Sequence, residues 1–269
     1  MSRQYFSEAY GLKPPENYDR YFVPAIAEPV AHDLMRLADL SLGERVLDVA
    51  CGTGLGARLA AEAVGSGGKV AGVDVNPGML AVARSVTPAD VLIEWYESSA
   101  EDMPLADEAF DVIVCLISFQ FMSDKLAALG EMRRVLAPGG RLLLNVPGPA
   151  APLFVALAEA LAQHVSPQAA GFVRQIFSLH ETTEIEQLLR EAGFRAVTVE
   201  ATHSVLTLPP AKAFLWQFIS STPLAGMAAE ADEDVRANLE SDVVEAWQDF
   251  EDDGALTYRQ RIVLASARK

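Results

Sequence analysis

The sequence predicts an α/β protein with a doubly wound, mostly parallel sheet. Three observations lead to this prediction. An apolar run at 46–49 is followed by a glycine turn, Gly52-Thr-Gly54, that opens a helix. A second apolar run, at 70–73, ends in Asp74, and further apolar runs alternate with helical patterns as far as residue 146. Such alternation requires right-handed crossover connections, which produce a parallel sheet covered by helices on both faces.

Five strands can be placed in order within this region. The run at 110–116 is almost continuously apolar, as expected of a strand that is buried on both faces. Glycine and proline clusters at 65–68 and 138–140 separate helices from the strands that follow them. Asn76-Pro77 is typical of a helix start, with the asparagine as cap. The predicted strands are Arg45–Val49, Lys69–Asp74, Val91–Tyr96, Phe110–Leu116 and Arg141–Val146.

Outside this core the alternation stops. Residues 1–24 are aromatic-rich and are predicted to be irregular, and a helix is expected from about Pro29 to Leu40. Within the core a helix is expected at about 124–136. Beyond the core, helices are expected at about 152–165, 168–177, 183–192 and within 209–254, and strands at 194–208 and 256–267. Thr183 and Glu186 have the spacing of a capping box. We therefore expect one domain over 1–269, with an N-terminal lid segment at 1–40, a ligand-binding core at 41–150, and helical inserts at 151–180 and 209–255 that roof the crevice.

The glycine turn and the two strand-end carboxylates indicate a nucleoside pocket. Gly52 and Gly54 allow the backbone to approach a ligand closely, and Asp74 can accept hydrogen bonds from both ribose hydroxyls. Asp48 lies near the end of the first strand, four residues before Gly52, and is expected to point into the same crevice. These four residues define the predicted ligand site.

Two ligand classes fit this pocket on spacing alone. Gly52-x-Gly54-x-x-Ala57 also satisfies the loose dinucleotide pattern, so a nicotinamide or flavin oxidoreductase is the first alternative. Asp48 favours the second class, because a carboxylate would repel a pyrophosphate in a partly dry site. S-adenosylmethionine carries no phosphate, and its ammonium and sulfonium groups are cations that suit a neighbouring acid.

Composition and charge exclude several other classes of protein. The chain has 269 residues, 51% of them hydrophobic, yet no apolar stretch long enough to span a bilayer. The start of the sequence lacks the apolar core of an export signal, so a cytoplasmic location is expected, with Cys51 and Cys115 as reduced thiols. A net charge of −16 without basic clusters argues against nucleic acid, and no residue spacing indicates a metal site. The acidic segment 230–253 is either a solvated helical face or an attractor for a cationic substrate.

Four motifs together resemble those of the class I S-adenosylmethionine-dependent methyltransferases, and in particular the ubiquinone/menaquinone-biosynthesis subgroup. Val46-Leu-Asp-Val-Ala-Cys-Gly-Thr-Gly54 resembles the first motif, and Gly72-Val-Asp74 with Met79 resembles the second. Ser98-Ser-Ala-Glu-Asp-Met-Pro-Leu105, followed by Phe110-Asp111, is similar to the adenine-binding segment. Met132-Arg-Arg-Val-Leu-x-Pro-Gly-Gly140 is similar to the stretch before the fifth strand. The resemblance is strong over about 40–150.

The resemblance implies a seven-stranded Rossmann-like sheet whose last strand, at 256–267, is antiparallel and lies between the fifth and sixth strands. It also implies a role for each residue of the pocket. Asp48 would orient the methionine amino group, Asp74 would bind the ribose, and Met79 would cover the adenine. Cys115 and Leu116 would face the methionine part, although Met79 and Leu116 also suit plain core packing. Family members often have aspartate where this chain has Ser99, so adenine recognition here depends on the Ser99 hydroxyl or on the backbone of Ala100 and Glu101.

The implied activity is transfer of a methyl group to a small, hydrophobic metabolite at an oxygen, nitrogen or carbon atom. No catalytic base can be identified: the four histidines (His32, His164, His180, His203) suit structural roles, and Tyr18, Tyr21 and Gln120 suit packing or loop roles as well as functional ones. Two other classes stay open at this point, a nicotinamide-dinucleotide oxidoreductase and a non-catalytic module that keeps the cofactor pocket. The sequence does not indicate an oligomeric state.

Overall fold

A computed structural model describes residue 11 and residues 13–269 of the chain. The predicted lid segment 1–40 therefore lies partly outside the described residues. The chain divides into two compact units. We call them the helical unit (residues up to Pro29, Pro149–Ser178 and His203–Gln260) and the sheet unit (Val30–Gly148, Leu179–Thr202 and Arg261–Lys269).

Within the described residues the chain forms eleven α-helices, one π-helix, two short 3-10 helices and eight strands. The α-helices are α1 (Pro14–Asn17), α2 (Glu28–Ala38), α3 (Leu55–Val64), α4 (Pro77–Val86), α5 (Lys125–Val135), α6 (Pro152–His164), α7 (Pro167–Ile176), α8 (Thr182–Glu191), α9 (Ala211–Ser220), α10 (Leu224–Glu230) and α11 (Glu233–Trp247). The other helices are the π-helix Tyr18–Ala27 and the 3-10 helices Phe119–Phe121 and Gln248–Phe250. The strands are β1 (Arg45–Val49), β2 (Lys69–Asp74), β3 (Ile93–Glu97), β4 (Phe110–Leu116), β5 (Leu136–Pro147), β6 (Arg195–Leu208), β7 (Glu251–Asp252) and β8 (Ala255–Arg268).

The strand order of the sheet is β3-β2-β1-β4-β5-β8-β6, with the two-residue β7 paired to β8. Strands β1 to β5 are parallel, whereas β8 runs antiparallel to β5, from Arg141 opposite Arg268 to Pro147 opposite Ile262. The predicted doubly wound sheet, with an antiparallel last strand between the fifth and sixth, is confirmed. The order reverses between β1 and β4, and in open α/β sheets ligands bind beyond the carboxyl ends of the strands at such a reversal.

Alternate residues of the central strands enter two different cores in the sheet unit. Leu47 of β1 packs with Leu129 and Met132 of α5 and with Ile185 of α8. Its neighbour Val46 instead packs with Ala57 and Ala60 of α3 and with Leu34 of α2. Because side chains alternate across a strand, the two cores lie on opposite faces of the sheet. Helices therefore cover both faces, as the sequence predicts.

Three local predictions are wrong. Residues 14–24 are helical, not irregular, and the π-helix accommodates Pro24, which lacks the amide hydrogen for an α-helical bond. Strand β5 begins at Leu136, not at Arg141, because Pro138 to Gly140 form an irregularity within the strand, with Gly139 at φ +77°. Helix α8 begins at Thr182 after Glu181, and no side chain caps it, so Thr183 and Glu186 do not form a capping box.

The helical unit has an aromatic core of its own. The Phe154 ring centre lies 5.1 Å from that of Phe177, 5.6 Å from Phe218 and 5.9 Å from Tyr258. The indole of Trp247 donates to the Leu153 carbonyl at 2.8 Å. Among the residues described, no helix combines the length and the apolar composition needed to cross a membrane.

The acidic segment 230–253 follows the pattern of a solvated helical face. Its one basic residue, Arg236, is buried and donates to the carbonyls of Ala228 (3.1 Å) and Ala231. Leu239 and Val243 are buried on the same side of α11. The carboxylates at 233, 234, 242 and 245 are exposed. The arrangement favours solvation as the role of this charge.

Candidate active site

The candidate site lies in the sheet unit, where the carboxyl ends of β2, β1 and β4 lie side by side. Asp74 is the last residue of β2, Asp48 is the penultimate residue of β1, and Cys115 and Leu116 end β4. Parallel strands bring these residues to one edge of the sheet. The structure thus brings together the residues that the sequence places at strand ends.

The glycine turn after β1 depends on the absence of side chains. Gly54 precedes α3 with φ +83°, in the left-handed region that favours glycine. A Cβ atom there would lie 2.4 Å from a ring carbon of Trp95. Gly56, in the first turn of α3, is restricted in another way, because a Cβ atom there would lie 2.7 Å from Asp48 Oδ2. The turn therefore brings backbone against both an indole ring and a carboxylate, and the sequence analysis missed Gly56 and Trp95.

Asp48 is a buried carboxylate with one oxygen available. Its Oδ2 accepts the Ala57 backbone N–H at 2.7 Å, whereas Oδ1 is buried and has no hydrogen-bond partner among the described residues. The pKa of Asp48 is raised to about 7: burial raises it most, the Ala57 hydrogen bond lowers it, and the charge of Asp74 raises it. A buried polar atom without a partner is costly unless a ligand or water satisfies it. Asp48 therefore presents an acceptor for a cationic donor.

Asp74 fixes the glycine turn from the neighbouring strand. Its Oδ2 accepts the Gly52 N–H at 2.8 Å, and its Oδ1 accepts the Asn76 N–H at 2.8 Å. Burial raises the pKa of Asp74, and these two bonds lower it. Asn76 caps α4 as predicted, since its Oδ1 accepts N–H groups of Gly78 (2.9 Å) and Met79 (3.4 Å). Each carboxylate oxygen of Asp74 keeps a lone pair for a further donor.

An apolar side chain stands exposed beside this carboxylate. Val75 follows Asp74 directly and is 71% exposed, while Met79 in the first turn of α4 is partly buried. An exposed valine next to a strand-end carboxylate suits contact with a flat apolar ligand face. An apolar residue that follows a strand-end aspartate is a signal that the sequence analysis could have used.

Ser99 and Glu101 form a hydrogen-bonded pair in the segment after β3. The Ser99 hydroxyl donates to a Glu101 carboxylate oxygen, and the Glu101 N–H donates to Ser99 Oγ at 3.2 Å. The other carboxylate oxygen accepts the N–H groups of Ser123 (3.0 Å) and Asp124 (3.2 Å). The hydrogen bond from the Ser99 hydroxyl is the main cause that lowers the pKa of Glu101 below its ordinary value. Ala100 packs partly buried against the core. An aspartate at 99 would therefore lie against an ionised carboxylate, which explains the serine.

The two residues that end β4 differ in exposure. Cys115 is fully buried among apolar side chains, and burial raises the pKa of its thiol, so any ligand contact would be through its backbone. Leu116 is partly buried. Cys51, after β1, is also buried, and burial raises the pKa of its thiol as well. Neither thiol is poised as a nucleophile, because the thiolate is the reactive form.

Two of the four histidines pair with carboxylates other than Asp48 and Asp74. His164 and Asp242, both in the helical unit, form a 2.6 Å pair. His180 lies 3.3 Å from Glu181. Tyr18 stacks on Phe22 at 4.7 Å between ring centres, and the Arg20 guanidinium lies 5.2 Å from the Tyr21 ring centre. The structure thus assigns no base among these residues.

Comparisons with known proteins agree with this geometry. Residues 47–144 match the family described as "Methyltransferase domain". A demethylmenaquinone methyltransferase of Deinococcus radiodurans is 35% identical over 184 residues, which cover 64% of this chain and 72% of that protein. The Thermus thermophilus enzyme of the same name is 37% identical over 150 residues, covering 54% of this chain and 68% of that protein.

Solved structures show the same fold. A Bacillus halodurans protein described as a methyltransferase is 25% identical, with a TM-score of 0.60 over 88% of this chain and 97% of that chain. A Haemonchus contortus phosphoethanolamine N-methyltransferase in complex with S-adenosyl-L-methionine is 22% identical, with a TM-score of 0.60 over 99% of this chain and 59% of that chain. These findings decide against the oxidoreductase and the non-catalytic module. The chain belongs to the class I S-adenosylmethionine-dependent methyltransferases, in the subgroup that includes the demethylmenaquinone methyltransferases, and is an enzyme that methylates small molecules.

Proposed function

We propose that this enzyme binds S-adenosylmethionine at the loops after β1 and β2 and methylates a small hydroxylated aromatic compound of the reduced-quinone class. The observation that supports the site most strongly is the Oδ1 atom of Asp48, which is buried and has no partner among the described residues. An ammonium group would give this atom a partner and would compensate the burial of the carboxylate. The residues present thus fit the cofactor.

Each residue of the site has a proposed contact with the cofactor. Asp48 Oδ1 accepts from the methionine ammonium, and the glycine turn of Gly52 and Gly54 keeps the backbone close to the ligand. Asp74 accepts from the ribose hydroxyls with the lone pairs that its two backbone bonds leave. When bound, the cofactor supplies an activated sulfonium methyl group.

The adenine is proposed to lie against apolar side chains and a short polar segment. Val75 and Met79 contact its faces, because an exposed valine and a half-buried methionine flank Asp74. Ser99 Oγ, together with the backbone of Ala100 and Glu101, contacts its polar edge. Ser99 keeps one lone pair for this contact while its proton stays with Glu101. Leu116 and the Cys115 backbone border the methionine part.

The acceptor class rests on the named relatives. The relatives at 35% and 37% identity are named for demethylmenaquinone, a quinone. A reduced quinone has hydroxyl groups that make its ring electron-rich, so the protein has mainly to position the acceptor and exclude water. The acceptor gains a methyl group and gives up one proton to solvent.

The test is a methyl-transfer assay with 1,4-dihydroxynaphthalene, kept reduced under nitrogen. Release of S-adenosylhomocysteine and a product heavier by one methylene unit are expected. The dimethyl ether of the same compound has no hydroxyl group and serves as the control, for which no release is expected. Absence of turnover with the diol would contradict the proposed acceptor class.

A further inference from the structure

Gln120, in the short helix Phe119–Phe121 after β4, has an amide oxygen to which the proposed cofactor site assigns no role. The residue is 3% exposed. Its Nε2 donates to the Ile117 carbonyl at 2.8 Å, which identifies the nitrogen and the oxygen of the amide. Its Oε1 is buried and has no hydrogen-bond partner among the described residues. Leaving such an acceptor unsatisfied destabilises the protein unless a ligand or water supplies a donor.

The loop that carries Gln120 is held under backbone strain. Ile117 has φ +44°, an unfavourable conformation for a β-branched residue. Its N–H donates to Asn145 Oδ1 at 2.8 Å, and Asn145 in turn donates to the Val30 carbonyl at 3.1 Å. A buried asparagine therefore holds the strained residue in place. Strain of this kind persists only where the surrounding structure enforces it, and it is concentrated at functional sites.

The same loop is joined to the glycine turn across the reversal of strand order. Ser118 Oγ lies 2.7 Å from the Leu116 carbonyl and 3.2 Å from the Ala50 carbonyl, and its one hydroxyl hydrogen is shared between these two acceptors. Ala50 has φ +56°, so both loops at the reversal contain a strained residue other than glycine. Gln120, two residues beyond Ser118, therefore belongs to the border of the crevice.

The order of the strands indicates which bound molecule would lie next to Gln120. Strands β2, β1 and β4 are neighbours in that order, and Asp74, Asp48 and Gln120 follow it along the edge. With the ribose bound to Asp74 and the methionine ammonium bound to Asp48, the position at the end of β4 remains for the methyl acceptor. We propose that Gln120 binds the methyl acceptor, with its Oε1 accepting a hydrogen bond from an O–H or N–H group beside the atom that is methylated. The inference rests on the proposed function and adds a specificity residue to it.

The chemistry of the amide suits this role. The oxygen is neutral, so it matches a neutral hydroxyl or amine, whereas the ionisable Asp48 matches a cation. Because Nε2 is anchored to the Ile117 carbonyl, the direction of Oε1 is fixed before the acceptor arrives. A site that hydrogen-bonds a substrate hydroxyl discriminates against analogues that lack it, since its own polar atom is then left unpaired.

The experiment compares the unaltered enzyme with Gln120→Met and Gln120→Glu. Methionine has similar length but removes both polar atoms, whereas glutamate keeps an acceptor oxygen, loses the donor to Ile117 and adds an ionisable group. Three quantities are measured on each: the affinity for S-adenosylhomocysteine by calorimetry, the binding of 1,4-dihydroxynaphthalene to the protein saturated with S-adenosylhomocysteine, and kcat/KM for the diol. Thermal unfolding reports any general effect on the fold.

For Gln120→Met we expect an affinity for S-adenosylhomocysteine within about twofold of the unaltered value. The affinity for the diol and kcat/KM should fall about tenfold, the latter mainly through KM, as for loss of one hydrogen bond at about 1.4 kcal/mol. Gln120→Glu should retain most of the affinity for the diol. An equal loss of affinity for S-adenosylhomocysteine in both variants would overturn the proposal and assign Gln120 to the loop or the cofactor. Unchanged kinetics in Gln120→Met would overturn it too.

Failure of the proposed function has a different signature. The unaltered enzyme would then bind S-adenosylhomocysteine but neither bind nor methylate the diol. This outcome overturns the acceptor class, and with it the assignment of Gln120 to a hydroxyl-bearing acceptor. Failure of the inference alone leaves the unaltered enzyme active and the Gln120→Met variant equally active.

Discussion

Asp48 is the residue whose ionisation state has the clearest consequence for cofactor binding. Its pKa of about 7 lies well above the ordinary value of 3.8, because the carboxylate is buried and faces the charge of Asp74. In the unliganded protein a large fraction of Asp48 is therefore protonated near neutral pH. An ammonium ligand requires the ionised form, so binding and deprotonation are linked.

The first prediction concerns pH. The affinity for S-adenosylhomocysteine should fall about tenfold from pH 8 to pH 6, since the ionised fraction of a group with a pKa near 7 falls by that factor. Calorimetry across this range measures it, with Asp48→Asn as the matched variant. The variant should bind weakly with little dependence on pH. Equal pH dependence in both proteins would assign the titration to another group.

The stability of the unliganded protein should change in the opposite sense. Because the folded-state pKa of Asp48 lies above the unfolded value, Asp48 adds to the free energy of unfolding below about pH 4. This stabilisation is lost as pH rises through about 7.

The second prediction concerns Gly56. In Gly56→Ala the new Cβ would lie 2.7 Å from Asp48 Oδ2, so the carboxylate or the first turn of α3 has to move. We expect a loss of about 1–3 kcal/mol in stability, as for other overpacked sites, and at least a tenfold loss of affinity for S-adenosylhomocysteine. Chemical denaturation and calorimetry measure the two effects.

Gly130→Ala is the matched control for this substitution. Gly130 lies in α5 and is exposed, and a Cβ atom there meets nothing within 4 Å. The variant should gain up to about 1 kcal/mol, the difference in helix propensity between the two residues. Undiminished affinity in Gly56→Ala would mean that Asp48 is not part of the cofactor site.

The sequence could predict Asp48 and Asp74 because a carboxylate at the end of an apolar run has a defined place in a parallel sheet. Gly56 was missed, although it could have been identified from the sequence because it continues the alternation of Gly52 and Gly54. The strained residues could not be found in this way. Alanine and isoleucine disfavour positive φ, so neither residue type indicates such a conformation. In the structure it is accompanied by hydrogen bonds of Ser118 and Asn145, which a sequence pattern does not reveal.

Among the elements, α5 supports the segment that follows Ser99. Arg134 in α5 donates to the carbonyls of Met103 (3.0 Å) and Leu105 (2.7 Å) and pairs with Asp107 at 2.7 Å. It also pairs with Glu131 at 2.7 Å, and Glu131 accepts the Met103 N–H at 2.9 Å. One guanidinium thus fixes the loop between the proposed adenine contact and β4.

The third prediction tests this support. Arg134→Met should lower stability by about 2–3 kcal/mol, because several carbonyl and carboxylate groups lose a charged donor. It should also raise KM for S-adenosylmethionine more than it lowers kcat. Arg190→Met is the control, since Arg190 makes an exposed i,i+4 pair with Glu186 that contributes about 0.3–0.5 kcal/mol. Equal effects of the two substitutions would show that the loop needs no such anchor.

Elements were predictable to different degrees. The bounds of β1, β2 and β4 agree with the predictions because each is an apolar run that ends at a glycine, an aspartate or a polar turn. The start of β5 was missed because the Pro138–Gly140 cluster reads as a turn, although the sheet absorbs it as an irregularity. The π-helix was missed because Pro24 lies in its interior, where proline normally ends a helix.

At the scale of the whole molecule, the sheet unit carries every proposed cofactor contact as well as Gln120. The helical unit has its own aromatic core around Phe154. That the chain binds neither a nucleic acid nor another polyanion stays a prediction from its net charge of −16. That the helical segments roof the crevice stays a prediction.

The most direct test of the account is calorimetry with S-adenosylhomocysteine on the unaltered enzyme and on Asp74→Asn and Asp74→Ala. Micromolar binding is predicted for the unaltered enzyme, with a loss of at least about tenfold in both variants, because a carboxylate that accepts from ribose hydroxyls is removed. NADH serves as the control ligand and should not bind. Absence of binding by the folded, unaltered enzyme, or equal affinity in folded variants, would contradict the claim that the cofactor is held at the carboxyl ends of β1 and β2.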